Sequence, residues 1–600
     1  MIQRFTAALL AAFALSSAAQ DPAAEQPTVV VTATRSATPI DQSLASVSVL
    51  TRDDILRSQA PDLLQLLRTL PGIDISRTGG VGQNTSFLLR GTNSNQSLVL
   101  IDGVRAASTG TGAYAWEHLP LDQVERIEVV RGPRAAWWGA DAIGGVIQIF
   151  TREPEGLSAR ARAGRYATVE GSVGYGAGGE DWGLAATVGG ISSNGYSAQT
   201  PEGFAYDPDA DGYIDRNVSL HGHARLGTQT LRASVFGTNA DTEFDQGESD
   251  AEQWIASAGI AGPLAGPWAH ALTLGATRDD LVTPAFASEF QTRRSSADWV
   301  NTVSLGDAGE IAAGLNYLHE TGRSLITIDG VPPEFDRSRT NRAAFASWQA
   351  GFGAFDAQLA GRYDDNSAYG GESTFQVAAG WKLAEAWRLY ASWGEGFRAP
   401  TLSELYSPGF GGFYAGNPDL APERSHSTEL GIEGRFAGAH TVGASLYATR
   451  IRELVSFSGG DTFQATNIGN ADLDGLELRY GWQGEAWRVD ANATVQDTED
   501  RATGESLLRR PDRKASAELT RGFGADFEAT VGGDFASSRR DFAAMLPGYA
   551  LLNVRVAWRP DPAWRLGLRL DNALGRDYAL AYGYATPGRA LLLTVDYLAP

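Results

Sequence analysis

The chain has 600 residues, no cysteine and a formal net charge of −22 at pH 7. So acidic a chain is a poor general nucleic-acid binder, because phosphate recognition needs clustered Lys and Arg side chains. The absence of cysteine excludes disulfide-stapled scaffolds, thiolate catalysis and zinc or iron–sulfur sites built on cysteine. The 70 glycines and the 10% of aromatic residues favour many short strands joined by many turns.

The N-terminus has the pattern of an export signal. Residues 1–4 carry one positive charge, residues 5–15 are apolar, and residues 17–19 are small, as cleavage requires. This pattern predicts a signal peptide over residues 1–19, with a cytosolic apolar helix as the alternative. Beyond it, no run reaches the roughly 18 apolar residues of a membrane helix. An exported chain that spans a membrane must then do so as a closed β-barrel.

A mixed α/β domain is predicted over residues 41–154, after a leader over residues 20–40. Apolar residues at mostly helical spacing over residues 53–70, divided by Pro61, predict a short turn and a longer helix. Short β-rich runs follow at residues 86–89, 98–101, 126–130 and 145–150.

The hydrophobic pattern changes to a period of two over residues 155–600. In residues 552–558 and 564–570, for example, apolar residues alternate with mostly polar or charged ones. A soluble sandwich and an outer-membrane barrel share this pattern, but export and the number of such segments favour the barrel. Strands of about 10 residues with turns and loops give roughly 20 or more strands. A barrel of that size leaves a channel unless something fills it, which the preceding domain could do.

Several motifs occur in the order that one family shows. They are PTVVVTAT at residues 27–34, LPGI at 70–73, VLIDGV at 99–104, VERIEVVRGP at 124–133, GEGFRAPTLSELY at 394–406, GNPDLAP at 416–422 and NALGRDY at 572–578. Together they resemble the TonB-dependent outer-membrane receptors. The resemblance implies an all-β-dominated fold, a 22-stranded antiparallel transmembrane β-barrel occluded by an N-terminal α/β plug, in a Gram-negative outer membrane.

The β-branched run near the mature N-terminus has two interpretations. It can form a plug strand, or it can leave the plug and pair as an extra strand with the sheet edge of a partner. The resemblance implies the second role, with TonB as the partner and with ExbB and ExbD as its energising proteins. The residues expected to bind TonB are Thr28, Val29, Val30, Val31 and Thr32.

Residues 207–215 (DPDADGYID) resemble the first half of a calcium-binding loop. Val218 stands where such a loop has its bidentate glutamate, so further ligands must come from elsewhere. Residues 218–226 and 231–239 predict one hairpin, whose flanking loops emerge at the same barrel end. The resemblance implies a structural Ca²⁺ and no catalytic cofactor; a solvated acidic loop is the alternative. The expected ligands are Asp207, Asp209, Asp211, Asp215, Asp241 and Asp245.

Segments at residues 79–95, 507–510 and 582–589 resemble the cobalamin receptors within this family. The loops at residues 79–86 and 93–97 offer small polar groups without charge, which suit hydrogen bonding to a large amide-bearing ligand. The resemblance implies cobalamin or a related corrinoid as substrate, with a ferric siderophore as the rival cargo. The residues expected to bind substrate are Asn84, Ser86, Asn93 and Arg509; capping of plug turns is the alternative role for the Ser and Asn residues.

Three arginines, Arg90, Arg131 and Arg134, are expected to hold the plug to the barrel wall, with Glu395 and Glu423 as candidate partners.

No H-E-x-x-H or G-x-S-x-G motif or P-loop occurs, so we expect a transporter rather than an enzyme, energised from outside. A passive porin is the rival from another class. The remaining expected partners are outer-membrane lipid and lipopolysaccharide, with the chain as a monomer.

Overall fold

The computed structural model describes residues 30–31, 35, 38–326, 334–409 and 412–599. The predicted signal peptide lies outside these residues, as do Thr28, Val29 and Thr32 of the predicted TonB-binding run. Among the helices of the described ranges, none is both long enough and apolar enough to cross a membrane.

The N-terminal domain combines short helices with small sheets. Its elements are β1 (Val30–Val31), β2 (Thr38–Pro39), β3 (Val47–Leu50), α1 (Arg52–Ser58), α2 (Leu63–Leu67), β4 (Ile73–Arg77), β5 (Thr85–Leu89), β6 (Ser97–Ile101), β7 (Val104–Arg105), β8 (Val124–Arg131), α3 (Ala135–Trp138) and β9 (Gly145–Thr151). Strands pair in the order β3-β8-β9-β6-β7, and β4 and β5 form a separate antiparallel pair. The four predicted strands are confirmed, with small shifts at their ends, whereas the predicted turn and longer helix around Pro61 are two short helices of seven and five residues.

The two helices begin where side chains cap them. Thr51 and Asp54 form a capping box at α1, in which each side chain accepts a hydrogen bond from the backbone N–H of the other. Asp62 caps α2 by accepting a hydrogen bond of 2.7 Å from the Gln65 N–H. Pro61 lies between the helices, where its missing N–H costs no helical hydrogen bond.

The remainder of the described chain closes into a barrel of 22 antiparallel strands. They are β10 (Gly156–Gly164), β11 (Thr168–Gly178), β12 (Trp182–Ser193), β13 (Tyr213–Leu226), β14 (Gln229–Phe244), β15 (Gly247–Ala265), β16 (Trp268–Thr283), β17 (Ser288–Ser304), β18 (Glu310–Ile326), β19 (Glu334–Phe352), β20 (Phe355–Asn366), β21 (Gly370–Ala384), β22 (Trp387–Arg398), β23 (Glu423–Phe436), β24 (His440–Gly459), β25 (Gln464–Gln483), β26 (Trp487–Asp500), β28 (Arg513–Phe523), β29 (Phe527–Ala536), β32 (Tyr549–Asp561), β33 (Trp564–Asp571) and β34 (Ala590–Leu598). Strand β34 pairs with β10 and closes the barrel. The short elements α4 (Leu402–Tyr406), β27 (Glu505–Ser506), β30 (Arg539–Arg540) and β31 (Met545–Leu546) lie in loops.

The two ends of the barrel differ. At the end where β10 begins and β34 finishes, turns are short, as at residues 227–228. At the other end, long loops span residues 194–212, 399–422 and 572–589. The predicted hairpin of β13 and β14 is confirmed, although both strands extend beyond the predicted nine residues towards the long loops.

Side chains alternate between the lumen and the lipid-facing surface, as the period of two predicts. On β11, Ser172 is buried while Val173 is 51% exposed; on β12, Thr187 is buried while Val188 is 55% exposed. The wall therefore turns polar groups inward and apolar groups towards lipid. The N-terminal domain fills the lumen as a plug, and its buried core includes Phe236 of the barrel.

Candidate functional site

The tip of the plug is the β4–β5 pair with the loop that joins it. In this pair Ser76 lies opposite Ser86, and Ser76 Oγ donates a hydrogen bond of 3.1 Å to the Leu580 carbonyl in the last long loop. Asn84 and Asn93 are exposed, and Ser86 is half-buried. Asn84 and Ser86 therefore lie at the tip, which faces the long loops, and Asn93 lies in the plug segment that follows β5.

Two consecutive arginines of the loop after β27 reach this tip. Arg509 Nη1 lies 3.5 Å from Ser76 Oγ. Arg510 Nη2 donates a hydrogen bond of 2.7 Å to Asn93 Oδ1, and its Nε donates one of 3.0 Å to the Gly91 carbonyl. Burial lowers the pKa of Arg510 to about 10, so the side chain stays protonated at neutral pH. Arg510 was missed by the sequence analysis, although it stands in the same LLRR segment as Arg509.

On the opposite side, the tip packs directly against the acidic loop at residues 194–212. A Cβ at Gly79 would lie 2.8 Å from the Ala198 Cβ, and one at Gly82 would lie 2.1 Å from the Tyr213 ring. Gly82 also has a φ of +82°, which favours glycine. The glycines of the tip therefore let Ala198 of this loop and the Tyr213 ring at the start of β13 pack directly against the plug backbone.

Two aspartates hold the part of the acidic loop that touches the tip. Asp211 Oδ2 accepts a hydrogen bond of 2.5 Å from the Ala198 N–H. The two carboxylate oxygens of Asp245 accept hydrogen bonds of 2.9 Å from the Gln199 and Asp207 N–H groups. The acidic side chains are thus coupled to the plug tip through residues 197–199.

The carboxylates near Asp211 repel one another. Burial, together with the neighbouring Asp245, Asp209 and Glu243 carboxylates, raises the pKa of Asp211 to about 6. Glu243 was missed by the sequence analysis; its Oε2 accepts a hydrogen bond of 2.8 Å from the Gly212 N–H.

The other two predicted calcium ligands lie apart from this group. Asp215 points inward and accepts hydrogen bonds from Asn217 Nδ2, at 2.6 Å, and from Thr238 Oγ1. Asp241 lies 3.4 Å from Arg216 Nη1, and both side chains are exposed. Within the ranges that the structure describes, no three His, Cys, Asp or Glu side chains are grouped so as to hold a metal ion.

The leader is tied to the wall beside the plug. The backbone of Val30–Val31 pairs with Thr38–Pro39. Arg35 forms a buried ion pair with Asp298, and its guanidinium lies 4.4 Å from the Trp138 ring centre and 4.9 Å from that of Phe345. Nothing in the sequence around Arg35 indicates that it is buried, because a single charged residue in a leader is ordinarily exposed to water.

Arg90 joins the plug to two strands of the wall. Its guanidinium lies 3.0 Å from Glu429 Oε2 and 2.9 Å from Glu477 Oε2, and the three side chains are at most 5% exposed. Arg131 Nε lies 3.8 Å from Glu477. Arg134 is buried beside them and donates a hydrogen bond of 3.4 Å to the Arg131 carbonyl.

The two predicted partners of these arginines were wrong. Glu423 is paired with Arg398, at 2.7 Å, and accepts a hydrogen bond of 2.7 Å from Gln96 of the plug. Glu395 accepts a hydrogen bond of 3.0 Å from the Phe375 N–H of the neighbouring strand β21. On β22 the even-numbered positions face the lumen, so Glu395 points away from the plug.

Comparison with known proteins agrees with this architecture. Residues 156–573 match the family described as TonB dependent receptor-like, beta-barrel, and residues 39–146 match the TonB-dependent receptor plug domain. The chain is a TonB-dependent receptor. Receptors of this family work with TonB, and the barrel is that of a Gram-negative outer-membrane protein.

Both a transporter and siderophore receptors are similar to this receptor. It is 29% identical to the vitamin B12 transporter BtuB of Vibrio cholerae serotype O1, over 95% of each chain. A variant of the ferric enterobactin receptor of Pseudomonas aeruginosa, solved with enterobactin, is 18% identical, with a TM-score of 0.77 over 92% of this chain and 99% of the other. The siderophore receptor PirA of Acinetobacter baumannii is 16% identical, with a TM-score of 0.78 over 93% and 99%. The two structures share the fold of this receptor.

Proposed function

We propose that this receptor imports cobalamin or a related corrinoid across the outer membrane, with energy supplied through TonB. The observation that carries the proposal is the plug tip: residues 79–86 contain no charged side chain and present amide, hydroxyl and glycine backbone groups to the long loops. A large ligand rich in amides can be bound by such groups without a fixed ionic partner. Similarity to vitamin B12 transporters over nearly the whole chain supports the same substrate class.

Coupling to TonB starts from the leader in this proposal. Val30 and Val31 already have strand conformation, so the same segment can pair with a sheet edge of TonB once it is released. The buried Arg35–Asp298 pair holds the leader against the wall until then. Work done on the leader by TonB would then be transmitted to the plug, which blocks the barrel.

Calcium is proposed to order the acidic loop. Asp207, Asp209, Asp211 and Asp245 carry hard oxygen ligands, which a cation would have to draw together, and it would relieve the repulsion that, after burial, raises the pKa of Asp211. Since residues 197–199 connect this group to the plug tip, ordering of the loop would complete one wall of the substrate site.

The substrate assignment is tested by binding. Purified receptor should bind cyanocobalamin and not a ferric siderophore, and Ser86→Ala with Asn84→Ala should weaken cyanocobalamin binding about tenfold. Ser304→Ala, at the short-turn end of the barrel, is the matched control and should bind normally. Binding of the siderophore alone would overturn the substrate class.

The energy coupling is tested in the leader. Val30→Pro should abolish uptake while leaving cyanocobalamin binding intact, because proline removes an N–H from the strand. Val30→Ile keeps the N–H and should transport normally. Uptake that survives deletion of residues 27–34 would instead indicate a passive porin.

The calcium proposal is tested by titration across pH. Asp211 must be ionised to bind the cation, and with a pKa raised to about 6 only about half of these carboxyl groups are ionised at pH 6. Calcium-dependent binding of cyanocobalamin should therefore strengthen as the pH rises from 5 to 7. Asp211→Asn should remove this dependence, whereas Asp241→Asn should retain it. Substrate affinity that ignores calcium at every pH would contradict the site.

A further inference from the structure

Asp541 is a fully buried carboxylate in the long-loop region, between β30 and β31. Its Oδ1 accepts hydrogen bonds from Arg509 Nε, at 2.9 Å, and from the Phe542 N–H, at 2.8 Å. Its Oδ2 accepts one of 2.7 Å from the Tyr582 N–H. Neither the sequence motifs nor the proposed substrate contacts assign a role to this residue.

One side chain thereby connects three loops. Arg509 belongs to the loop before β28, Asp541 to the loop before β32, and Tyr582 to the loop before β34. Two further hydrogen bonds follow the same connections: the Arg509 N–H donates to the Arg540 carbonyl at 2.7 Å, and Arg539 Nη2 donates to the Ala579 carbonyl. The loops consequently have fixed relative positions beside the plug.

The groups that Asp541 holds face the substrate site. The Phe542 side chain is 82% exposed, and the Arg509 guanidinium lies 5.6 Å from the centre of its ring. The same guanidinium lies 3.5 Å from Ser76 Oγ at the plug tip. An aromatic ring that remains so exposed in an otherwise anchored loop has a free face on which a planar group can stack.

Burial of a carboxylate is costly unless it is paired and fully hydrogen-bonded, and an apolar side chain would fill the same space without that cost. Here each oxygen of Asp541 is used to fix a backbone N–H or the Arg509 side chain. The hydrogen bonds of Asp541 thus fix the relative positions of the three loops, which an apolar side chain of similar size would not do.

We propose that Asp541 is a positioning residue of the substrate site, which holds Arg509 and Phe542 beside the plug tip before the ligand binds. Preorganisation of this kind raises affinity because less loop motion is lost on binding. The inference rests on the proposed function, because it adds to the proposed substrate site a wall formed by the Phe542 ring and the Arg509 cation, next to the uncharged plug tip.

The first test measures the loops without ligand. In Asp541→Asn, hydrogen exchange of the Phe542 and Tyr582 amides should accelerate at least about tenfold, because an amide cannot replace all the acceptors of a carboxylate. Amides of β32 should be unchanged, as should all amides in the matched control Asp526→Asn, which alters a short turn at the other barrel end. Unchanged exchange at Phe542 and Tyr582 would overturn the positioning role.

The second test measures cyanocobalamin. Asp541→Asn and Arg509→Gln should each raise the Kd about 10- to 100-fold, and the double variant should be no weaker than the worse single variant, since both act through one contact. The maximal uptake rate at saturating ligand should stay unchanged, and Asp526→Asn should bind normally. An unchanged Kd in Asp541→Asn, or a loss confined to the maximal rate, would overturn the inference.

The two proposals fail in different ways. Failure of the unmodified receptor to bind cyanocobalamin would overturn the proposed function, whereas the amide exchange would still decide whether Asp541 fixes the loops. Normal binding by the unmodified receptor with an unaffected Asp541→Asn variant would overturn only the positioning role.

Discussion

The plug meets the barrel wall through two contrasting surfaces. Towards β14 and β15, Phe236 and Ile255 are at most 5% exposed and belong to the plug's own hydrophobic core. Towards β23 to β26, the contact is ionic: Arg90 lies between Glu429 and Glu477. On that side a partly open cavity of about 1020 Å³ also lies between the wall and the plug, lined by both apolar and charged residues.

The difference shows how one plug can be both held and movable. Apolar packing is lost whenever the surfaces separate, because water cannot replace it. Ion pairs and hydrogen bonds beside a cavity can be exchanged for bonds to water as the surfaces part. We therefore expect the β14–β15 side to resist displacement and the β23–β26 side to yield first, once its buried ion pairs break.

The largest effect is expected at Arg90. Arg90→Ala removes the ion-pair partner of the buried Glu429 and leaves Glu477 with only the more distant Arg131, at 3.8 Å, so it should lower the free energy of plug unfolding by about 3–5 kcal/mol. Urea unfolding in detergent micelles measures this free energy. The shift in gel mobility between unheated and heated protein checks that the barrel has folded. Arg450→Ala, which breaks an exposed pair with Asp474, is the matched control and should cost less than about 1 kcal/mol. Equal losses of plug stability in Arg90→Ala and Arg450→Ala would show that the buried ion pairs of Arg90 do not hold the plug to the wall.

The apolar side is tested at Phe236. Phe236→Ala should lower the free energy of plug unfolding by about 3 kcal/mol, because it leaves a cavity between β14 and the plug core. Phe535→Ala removes a lipid-facing ring that is 44% exposed and should leave plug stability unchanged. A plug that is as stable in Phe236→Ala as in the parent receptor would show that the apolar contact does not hold it.

A pH-dependent effect is expected at Glu117, which lies on the apolar side: Tyr213 Oη donates a hydrogen bond of 3.3 Å to its backbone carbonyl. Burial raises the pKa of Glu117 to about 8 from the ordinary 4.5. The neutral carboxyl favours the fold, so its contribution is complete below pH 4.5 and is lost as the pH rises towards 8. Glu117→Gln stays neutral and should be more stable than the parent by about 2 kcal/mol at pH 8.

The same urea titrations at pH 5 and pH 8 check this expectation. The stability difference between Glu117→Gln and the parent should be small at pH 5 and should grow with pH. A difference that is constant across this range would mean that the carboxyl does not titrate in the folded plug.

The smallest effect is expected beside the cavity. Asn492 Nδ2 donates a hydrogen bond of 2.6 Å to the Thr69 carbonyl, next to space that water can enter. Asn492→Ala should cost only about 1 kcal/mol, because water can replace the lost donor. The rate of substrate uptake in this variant measures whether the plug separates more easily from β23–β26. A slower rate than in the parent would contradict the proposal that this contact separates before the one with β14 and β15.

Regular patterns made much of the fold predictable. The period of two predicted the strands, export and the number of strands favoured a barrel, and the apolar run around Pro61 predicted helical structure on that stretch. The grouping of Asp245 with Asp207 and Asp211 followed from hairpin geometry alone. These features depend on neighbours in sequence, which a single chain displays directly.

Contacts between distant strands were not predictable. A shift of one residue decides whether a side chain faces the lumen or the lipid, so the candidate partner Glu395 points away while Glu429 and Glu477 meet Arg90. Asp241 pairs with Arg216 for the same kind of reason, and the contact between Arg510 and Asn93 joins residues more than 400 positions apart.

By itself, then, the sequence determined the alternating strands, the plug domain and the uncharged residues of the plug tip, because each depends on local composition, spacing and motifs. Only the tertiary structure decided which charges meet across the plug, where Arg35 is buried and which loops Asp541 joins. Closure of the barrel brings together residues hundreds of positions apart, and their register depends on every strand between them.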